Sequence, residues 1–363
     1  MDVSRYLTYM VEKDASDLFF SANAPVLLRV KNETRPINPD TVLDSNDVKE
    51  MAYSLLTDNL IERFEKELEL NAGITVDDIG RFRVSLLQQR RTVSAVIRLI
   101  HTTPPTVEEL HLPPILEDLV EERRGLILVA GATGSGKSST LAAMLNHRNE
   151  SAHGHILTIE DPIEYLHDYK KCIINQRELG VDTHSYSEAL KNAVRDAPDV
   201  ILIGEIRDEE TMRNAITFAE TGHLCLATIH ASNAIETLDR VVNFFPESYH
   251  HQVLMDLSRN LNAIICQRLI RGKDSLWPAV ELIQNSPYIQ DLIQKGEFDQ
   301  IKEAISRRTQ DRDKAITFDN SLIQLYLEGR ISREEAICSA DSKHNMSVQL
   351  RLLDERLGRR HQM

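Results

Sequence analysis

A glycine-rich segment contains residue types and spacing suited to binding phosphate. Its sequence, GATGSGKSS, fills the pattern G-x-x-x-x-G-K-[ST] directly after the apolar run 126–130. Such glycines let backbone N–H groups surround a phosphate, and the N-terminus of a following helix adds partial positive charge. Lys137 is placed to reach the β- and γ-phosphates, and the Ser138 hydroxyl can ligate Mg²⁺. The segment therefore predicts a P-loop that binds ATP or another nucleoside triphosphate. The predicted phosphate-binding residues are Gly131, Ala132, Thr133, Gly134, Ser135, Gly136, Lys137, Ser138 and Ser139.

Acidic residues follow two further apolar runs. Val200–Ile203 precedes Glu205, whose carboxylate can accept a proton from an attacking water or hold Mg²⁺ through a water. Another apolar run ends in Glu160, Asp161 and, after a proline, Glu164. Because clustered carboxylates repel each other without a nearby cation, Glu160 is predicted to face Mg²⁺. A solvated strand end, or a helix N-terminus that favours acids, remains an alternative for these residues.

Histidines and arginines supply further candidates. His223 and His230 bracket the apolar run 224–229, and a neutral imidazole at His230 could sense a γ-phosphate, although a structural role is equally open. P-loop motors commonly complete their site with an arginine from a neighbouring subunit. Arginine at alternate positions of a strand is as often the solvated face of a sheet. The candidates are Arg81, Arg83, Arg90, Arg91, Arg98, Arg195 and Arg207.

The pattern of apolar residues divides the chain near residue 105. Residues 1–104 predict a small α+β domain with strands near 17–21, 25–30, 81–86 and 92–99 and helical spacing over 45–70. Residues 105–114 contain several prolines and predict a linker. Short apolar strands then alternate with helices over 115–285, which predicts an α/β fold with a mostly parallel sheet. Residues 286–363 predict C-terminal helices and, from Ser342, a polar tail. The predicted core strands are 126–130, 155–159, 200–203, 224–229 and 278–283.

Composition excludes several classes of protein. Hydrophobic residues make up 42% of the 363 residues, which is ordinary for a globular protein. No apolar run approaches the length of a membrane helix, so we expect a cytoplasmic location. The net charge of −14 disfavours nucleic acid as a partner. The four cysteines lie far apart, which predicts free thiols.

Four ordered motifs together resemble the secretion ATPases of the PilT/PilU family, the retraction ATPases of type IV pili. The P-loop corresponds to the family's Walker A motif and 158–165 to its Asp box. Residues 199–208 correspond to its Walker B motif and 221–230 to its His box. Matches at 15–18 and 80–84 extend the resemblance over nearly the whole chain.

The resemblance implies a PAS-like N-terminal domain, a RecA-like P-loop NTPase core and a homohexameric ring with nucleotide at subunit interfaces. It implies that Glu205 is the general base and Glu164 an essential acid. His223 and His230 would be the His-box pair, and Arg83 and Arg98 would face the neighbouring site. The implied activity is ATP hydrolysis that supports pilus retraction. The implied partners are the main retraction ATPase and the platform protein of the inner membrane.

Two departures place the chain within the family. It lacks the four-cysteine zinc motif of assembly ATPases, which favours the retraction branch. The segment Tyr288–Ile293 also has Gln290 where the main retraction motor has an arginine, which resembles the accessory PilU type. Two other functions stay open at this point: a nucleotide-gated scaffold that docks on another motor, and a nucleic-acid motor with a similar core.

Overall fold

The computed structural model describes residues 2–30, 33–100, 103–273, 275–307 and 315–356. Outside these ranges lie residues 101 and 102, just before the predicted linker, and residues 357–363 of the predicted polar tail. The chain divides into two compact units. The first contains residues up to Thr103 together with Asp161–His167 and Arg177–His184, and the second contains the remainder.

The first unit is built on a six-stranded sheet with the strand order β4-β3-β1-β8-β7-β6. The strand pairings within this sheet are antiparallel. Strands β2 and β5 pair with each other as a separate two-stranded ribbon. The helices of this unit are α1 (Ser4–Glu12), α2 (Ser45–Tyr53) and α3 (Asp58–Glu67). Its strands are β1 (Asp17–Ser21), β2 (Ala24–Pro25), β3 (Leu27–Val30), β4 (Glu33–Pro36), β5 (Val42–Leu43), β6 (Glu69–Val76), β7 (Gly80–Gln89) and β8 (Thr92–Ile100).

Along these strands, side chains that face the apolar core alternate with side chains on the opposite face of the sheet. Leu18, Val84 and Ile97 are buried in one apolar cluster with residues of all three helices. Their chain neighbours point to the opposite face, because side chains alternate along a strand. The predicted helical stretch 45–70 is two helices, since Asp44 caps α2 with a capping box and a separate cap at Thr57 begins α3. The sequence pattern does not predict β6, because Gly73 and its polar residues weaken the alternation of apolar and polar positions.

The second unit is built on an eight-stranded sheet with the order β11-β10-β12-β13-β9-β14-β15-β16. Its strands are β9 (Gly125–Ala130), β10 (Gly154–Glu160), β11 (Cys172–Glu178), β12 (Val200–Ile203), β13 (Leu224–Ile229), β14 (Leu261–Arg271), β15 (Leu276–Gln284) and β16 (Ala315–Ile316). Its helices are α4 (Ile115–Val120), α5 (Lys137–Ser151), α6 (Tyr186–Ala193), α7 (Glu209–Glu220), α8 (Ala234–Asn243), α9 (His250–Asn260), α10 (Pro287–Lys295), α11 (Phe298–Arg307), α12 (Phe318–Leu327), α13 (Arg333–Ser339) and α14 (Lys343–Arg356).

The five strands from β10 to β14 in this sheet are parallel, and β15 and β16 are antiparallel to their neighbours. Strands β9, β12 and β13 are buried along their whole length. Burial on both faces explains why these strands are continuous apolar runs. The predicted order of a small α+β domain, a mostly parallel core and C-terminal helices is confirmed. The parallel arrangement also brings the carboxyl ends of β9, β10, β12 and β13 to one edge.

Three parts of the second unit differ from the sequence prediction. The segment predicted as a linker is not a free spacer, because Val107 and Leu112 are buried in the core. The polar tail predicted from Ser342 is wrong over α14, where Met346 and Leu350 are fully buried. Sequence analysis also missed β14, which lies between two predicted strands. No helix within the described residues is both long and apolar enough to span a membrane.

All four cysteines are free thiols, as predicted. Cys172, Cys225 and Cys266 are buried, and only Cys338 is exposed. Burial raises the pKa of the Cys225 thiol to about 12. This thiol is therefore protonated and unreactive at neutral pH.

Candidate active site

The P-loop connects β9 to α5 at the carboxyl edge of the second sheet. Gly136 has a φ of 91°, a conformation that favours glycine. A Cβ on Gly136 would lie 2.8 Å from Nε2 of Gln267, so the loop backbone approaches β14 closely. Lys137 begins α5, and its Nζ donates hydrogen bonds to the carbonyl oxygens of Gly131 and Ala132, both at 2.9 Å. The lysine thus lies folded over the loop it would use to hold a phosphate.

The interior of the loop fits an anion. Ser135 is buried, and its Oγ has no hydrogen-bond partner. A buried hydroxyl without a partner is costly, and a phosphate oxygen would satisfy it. A Cβ on Gly131 would lie 2.3 Å from the same Oγ, so a glycine is needed there. A cavity of about 580 Å³ opens beside the loop and extends to His230, Arg240 and Arg268.

Glu205 reaches the same edge from β12. The N–H of the next residue, Ile206, donates to the carbonyl of Thr228 at 2.9 Å, which fixes the end of β12 against β13. Oε1 of Glu205 lies 2.9 Å from Nε2 of His230, and Oε2 accepts a hydrogen bond from Nη2 of Arg207 at 2.6 Å. The structure therefore brings together three residues that sequence analysis selected separately.

The surroundings of Glu205 favour its ionised form. Partial burial raises its pKa, but the hydrogen bond and charge of Arg207 and the charges of His230 and Lys137 outweigh burial. The net result is a pKa below the ordinary value for glutamate. Glu205 is therefore a carboxylate at neutral pH, as a proton acceptor must be. A lowered pKa also means that this group's contribution to stability is lost as pH falls.

We expect replacement of Arg207 by glutamine to move the acid limb of the ATPase pH profile to higher pH. Arg207 is the largest contributor that lowers the pKa of Glu205, so its removal raises that pKa. More of the base is then protonated at a given acidic pH. The measurement is the pH dependence of kcat/KM for both proteins. An unchanged acid limb would show that Glu205 does not control it.

The acidic residues after β10 fall into different surroundings. Glu160 accepts hydrogen bonds from Oγ1 of Thr158 at 2.7 Å and Nε2 of Gln176 at 3.3 Å, within the second unit. Glu164 is exposed and belongs to the first unit. The Asp box is therefore divided between the two units after Glu160.

A buried carboxylate fixes the segment that contains Glu164. Oε2 of Glu178 accepts hydrogen bonds from Nη2 of Arg81 at 2.7 Å and from the N–H of Ile163 at 3.3 Å. Oε1 accepts one from the N–H of Gly73 at 2.9 Å. Glu178 is 2% exposed, so these contacts are shielded from water. Arg81, a candidate for a neighbouring site, is thus already paired inside its own unit.

His223 does not reach the P-loop of its own chain. It precedes β13, and its carbonyl accepts a hydrogen bond from the N–H of Gly125, at the start of β9. Strands rise about 3.3 Å per residue, so His223 lies about 23 Å from His230, which is at the other end of β13. Its Nδ1 lies 3.2 Å from the carbonyl oxygen of Phe218 and 3.1 Å from Oγ1 of Thr221. The two histidines thus lie at opposite ends of β13, and their role as the His-box pair stays a prediction.

The remaining candidate arginines lie in three places. Arg83 and Arg98 are directly opposite each other on β7 and β8. Arg90 and Arg91 form the exposed turn between these strands, with positive φ angles. Arg195 is exposed after α6. Of the seven candidates, only Arg207 is paired with a residue of the P-loop edge.

Sequence analysis missed residues of β14 that shape the site. Gln267 is buried, and its Oε1 accepts a hydrogen bond from Oγ1 of Thr140 at 2.6 Å, which links α5 to β14. Arg268 pairs with Asp341 at 2.9 Å, and its guanidinium lies 3.8 Å from the ring centroid of Phe318. The sequence signal that could have identified them is the presence of polar residues within an otherwise apolar strand, because a buried glutamine needs a hydrogen-bond partner.

The chain belongs to the family described as Type II/IV secretion system protein, whose model matches residues 2–310. The core is thus that of a secretion ATPase, and the predicted fold class is confirmed.

Two relatives from Pseudomonas aeruginosa are similar over almost the whole chain. The type IV pilus ATPase PilU is 45% identical over 98% of this chain and 93% of its own length. The type IV pilus retraction ATPase PilT is 42% identical over 93% of this chain and 97% of its own. The crystal structure of the pilus retraction motor PilT with bound ADP superposes with a TM-score of 0.88 at 35% identity and covers 95% of this chain and 98% of that one. The predicted resemblance to the PilT/PilU family is confirmed.

Proposed function

We propose that this chain is an ATP-hydrolysing motor subunit that supports type IV pilus retraction as an accessory to the main retraction ATPase. The observation that carries the proposal is the meeting of Lys137, Glu205 and His230 at one sheet edge. The solved PilT structure contains ADP, and the aligned chain here has the same P-loop fold. The relatives named as pilus ATPases cover more than nine-tenths of this chain.

Each residue of the proposed site has a separate task. The P-loop N–H groups, the Ser135 hydroxyl and Lys137 hold the β- and γ-phosphates. The carboxylate of Glu205 takes the proton of a water as its oxygen attacks the γ-phosphorus. The bond from that phosphorus to the β–γ bridging oxygen breaks, which yields ADP and inorganic phosphate. His230, at 2.9 Å from Glu205, holds the carboxylate beside the reacting group.

A magnesium ion fits the chemistry of this edge. Ser138, with Glu160 and Glu205 acting through water, would hold it beside the phosphates, where it would neutralise their charge. No group of three or more His, Cys, Asp or Glu side chains suited to a metal occurs among the described residues. Phosphate oxygens and water would complete its coordination.

A ring of six copies would complete each site with arginines from a neighbour. Arg83 and Arg98 are the proposed donors, because they lie together and Arg98 is exposed. Closure of the neighbouring subunit on bound ATP, and release after hydrolysis, would convert turnover into movement. Glu164, exposed on the first unit, would act at the same subunit interface.

The shared site predicts complementation between two inactive variants. Lys137→Ala copies and Arg98→Ala copies should each be nearly inactive. In a mixed ring, some interfaces combine an intact P-loop with an intact arginine, so part of the activity returns. The measurement is ATP turnover after mixing at constant total protein. Absence of recovery in rings shown to contain both variants would contradict a shared site.

The accessory role is proposed from α10. Ile289, Leu292 and Ile293 are buried, whereas Gln290 is exposed. The position at which the main motor has an arginine is therefore on the surface, where a partner can contact it. A charge-assisted contact at this position would be worth about 1.5–3 kcal/mol if the partner buries it. Loss of that contact with the platform protein of the inner membrane would make this chain depend on the main motor for docking.

A further inference from the structure

Four charged residues form one row across the face of the first sheet that is opposite its apolar cluster. Asp17 on β1 is paired in register with Arg29 on β3 and with Arg98 on β8. Arg98 is in turn opposite Arg83 on β7. Residues paired in register lie on the same face of a sheet. The row is thus Arg29, Asp17, Arg98 and Arg83, and it continues to Gly73 on β6, over which the Glu178 carboxylate and Nη2 of Arg81 lie. With Arg81 and Glu178 counted, this face has four positive charges and two negative ones.

The row is poorly balanced without a further anion. Like charges directly opposite each other destabilise a sheet, and Arg83 and Arg98 are such a pair. The Nε of Arg83 is buried and has no hydrogen-bond partner. An anion such as a phosphate would relieve both features. The row is therefore organised toward a negatively charged group outside this sheet.

Asp17 is the buried centre of the row. Its side chain is 3% exposed, while that of Arg98 is 56% exposed. Oδ1 of Asp17 accepts a hydrogen bond from Nε of Arg98 at 2.9 Å. Oδ2 accepts hydrogen bonds from Nη1 of Arg29 at 3.3 Å and from Oγ of Ser16 at 2.8 Å. Asp17 thus contacts Arg98 through the nitrogen nearest its stem.

We infer that Asp17 is a positioning residue that holds Arg98 by its Nε so that the two terminal nitrogens face the γ-phosphate of a neighbouring subunit. A guanidinium can bind a carboxylate and a phosphate at the same time, because it has five N–H donors in a fixed fork. Arg29 pairs with the other oxygen of Asp17 and is assigned no contact with phosphate. The inference rests on the proposed function, in which Arg98 acts at the neighbouring site.

The first test compares Asp17→Asn with Arg29→Gln as a matched control. Asp17→Asn removes both ion pairs of the buried carboxylate, whereas Arg29→Gln removes only its own pair and leaves that of Arg98 in place. We expect Asp17→Asn to lower kcat about tenfold with little change in KM, because misplaced catalytic groups act on the transition state. Arg29→Gln should stay within about twofold of the unaltered protein. Equal losses of kcat in both variants would overturn the inference.

The second test changes the exposed partner and leaves Arg29 and Ser16 as partners of Asp17, and the thermal midpoints check that each variant folds. Arg98→Lys keeps the charge but has a single ammonium, which Asp17 would occupy. We expect its kcat to be as low as that of Arg98→Gln. Nearly full turnover by Arg98→Lys would refute the inference, because charge alone would then suffice. Nearly full turnover by Arg98→Gln would instead refute the proposed role of Arg98 itself.

A double-variant cycle separates positioning from a structural effect. In the Arg98→Gln background, Asp17→Asn should cause no further fall in kcat, since the group it positions is gone. If the loss of kcat in the double variant equals the product of the two single losses, Asp17 affects turnover through the stability of the fold and not through Arg98. Thermal midpoints of all variants show whether lower turnover follows lower stability.

Discussion

Replacing Lys137 with alanine should reduce ATP turnover at least about 100-fold, because the variant loses the charge that holds the β- and γ-phosphates. Nζ of Lys137 donates hydrogen bonds to the carbonyls of Gly131 and Ala132 within the P-loop itself, so the fold should persist without it. The measurement is steady-state phosphate release, with nucleotide binding followed separately. Both turnover and binding are expected to fall.

Lys66→Ala is the matched control for this prediction. Lys66 is an exposed lysine on α3 of the first unit, far in sequence from the P-loop. Its removal should leave turnover within about twofold, as expected for a surface substitution. Turnover by Lys137→Ala close to that of the control would exclude the P-loop as the site of hydrolysis.

Replacing Glu205 with glutamine should separate binding from hydrolysis. The amide has nearly the same shape but cannot accept the proton of water, so kcat should fall about 10²- to 10⁴-fold. ATP should still bind, because the P-loop is unchanged. The measurements are single-turnover hydrolysis and equilibrium binding of ATP by the same preparation.

Glu209→Gln gives the control for Glu205. Glu209 begins α7 four residues later and pairs with Arg213 at 2.6 Å on the surface. Surface pairs of this kind contribute little, so turnover should hardly change. Loss of both ATP binding and hydrolysis in Glu205→Gln would assign Glu205 a structural role instead.

The phosphate edge could be predicted from sequence because its signals are local. The P-loop requires glycines, a lysine and a serine at fixed spacing, and each lies within nine residues of the others. Glu205 and His230 follow buried apolar strands, and parallel strands bring such ends together. The same argument shows why His223 belongs to the opposite edge, since it precedes its strand.

The contacts that join distant parts of the chain could not be predicted from sequence. Arg81 and Glu178 are 97 residues apart, yet they form the buried pair of the first unit. No local pattern distinguishes Glu178 from a surface glutamate at the end of an edge strand. The assignment of 161–167 and 177–184 to the first unit likewise depends on tertiary packing.

The periodicity of apolar residues does not predict which polar residues lie inside buried strands and helices. Gln267 interrupts the apolar pattern of β14, but Thr140 satisfies its side chain in the core. In α14, polar and charged residues together outnumber apolar ones, yet Met346 and Leu350 are buried on one side of the helix. Asp17 is the same case in the first sheet, where the two arginines compensate a buried charge.

The most direct test of the central claim is pilus retraction in cells whose main retraction ATPase has an inactivated P-loop. If this chain hydrolyses ATP to drive retraction as an accessory motor, such cells should retract pili when they contain the unaltered chain. They should not retract when they contain the Glu205→Gln variant, and cells that lack the main ATPase altogether should not retract with either form. Retraction with the Glu205→Gln variant at the rate of the unaltered chain would contradict the claim that hydrolysis at this site supplies the work.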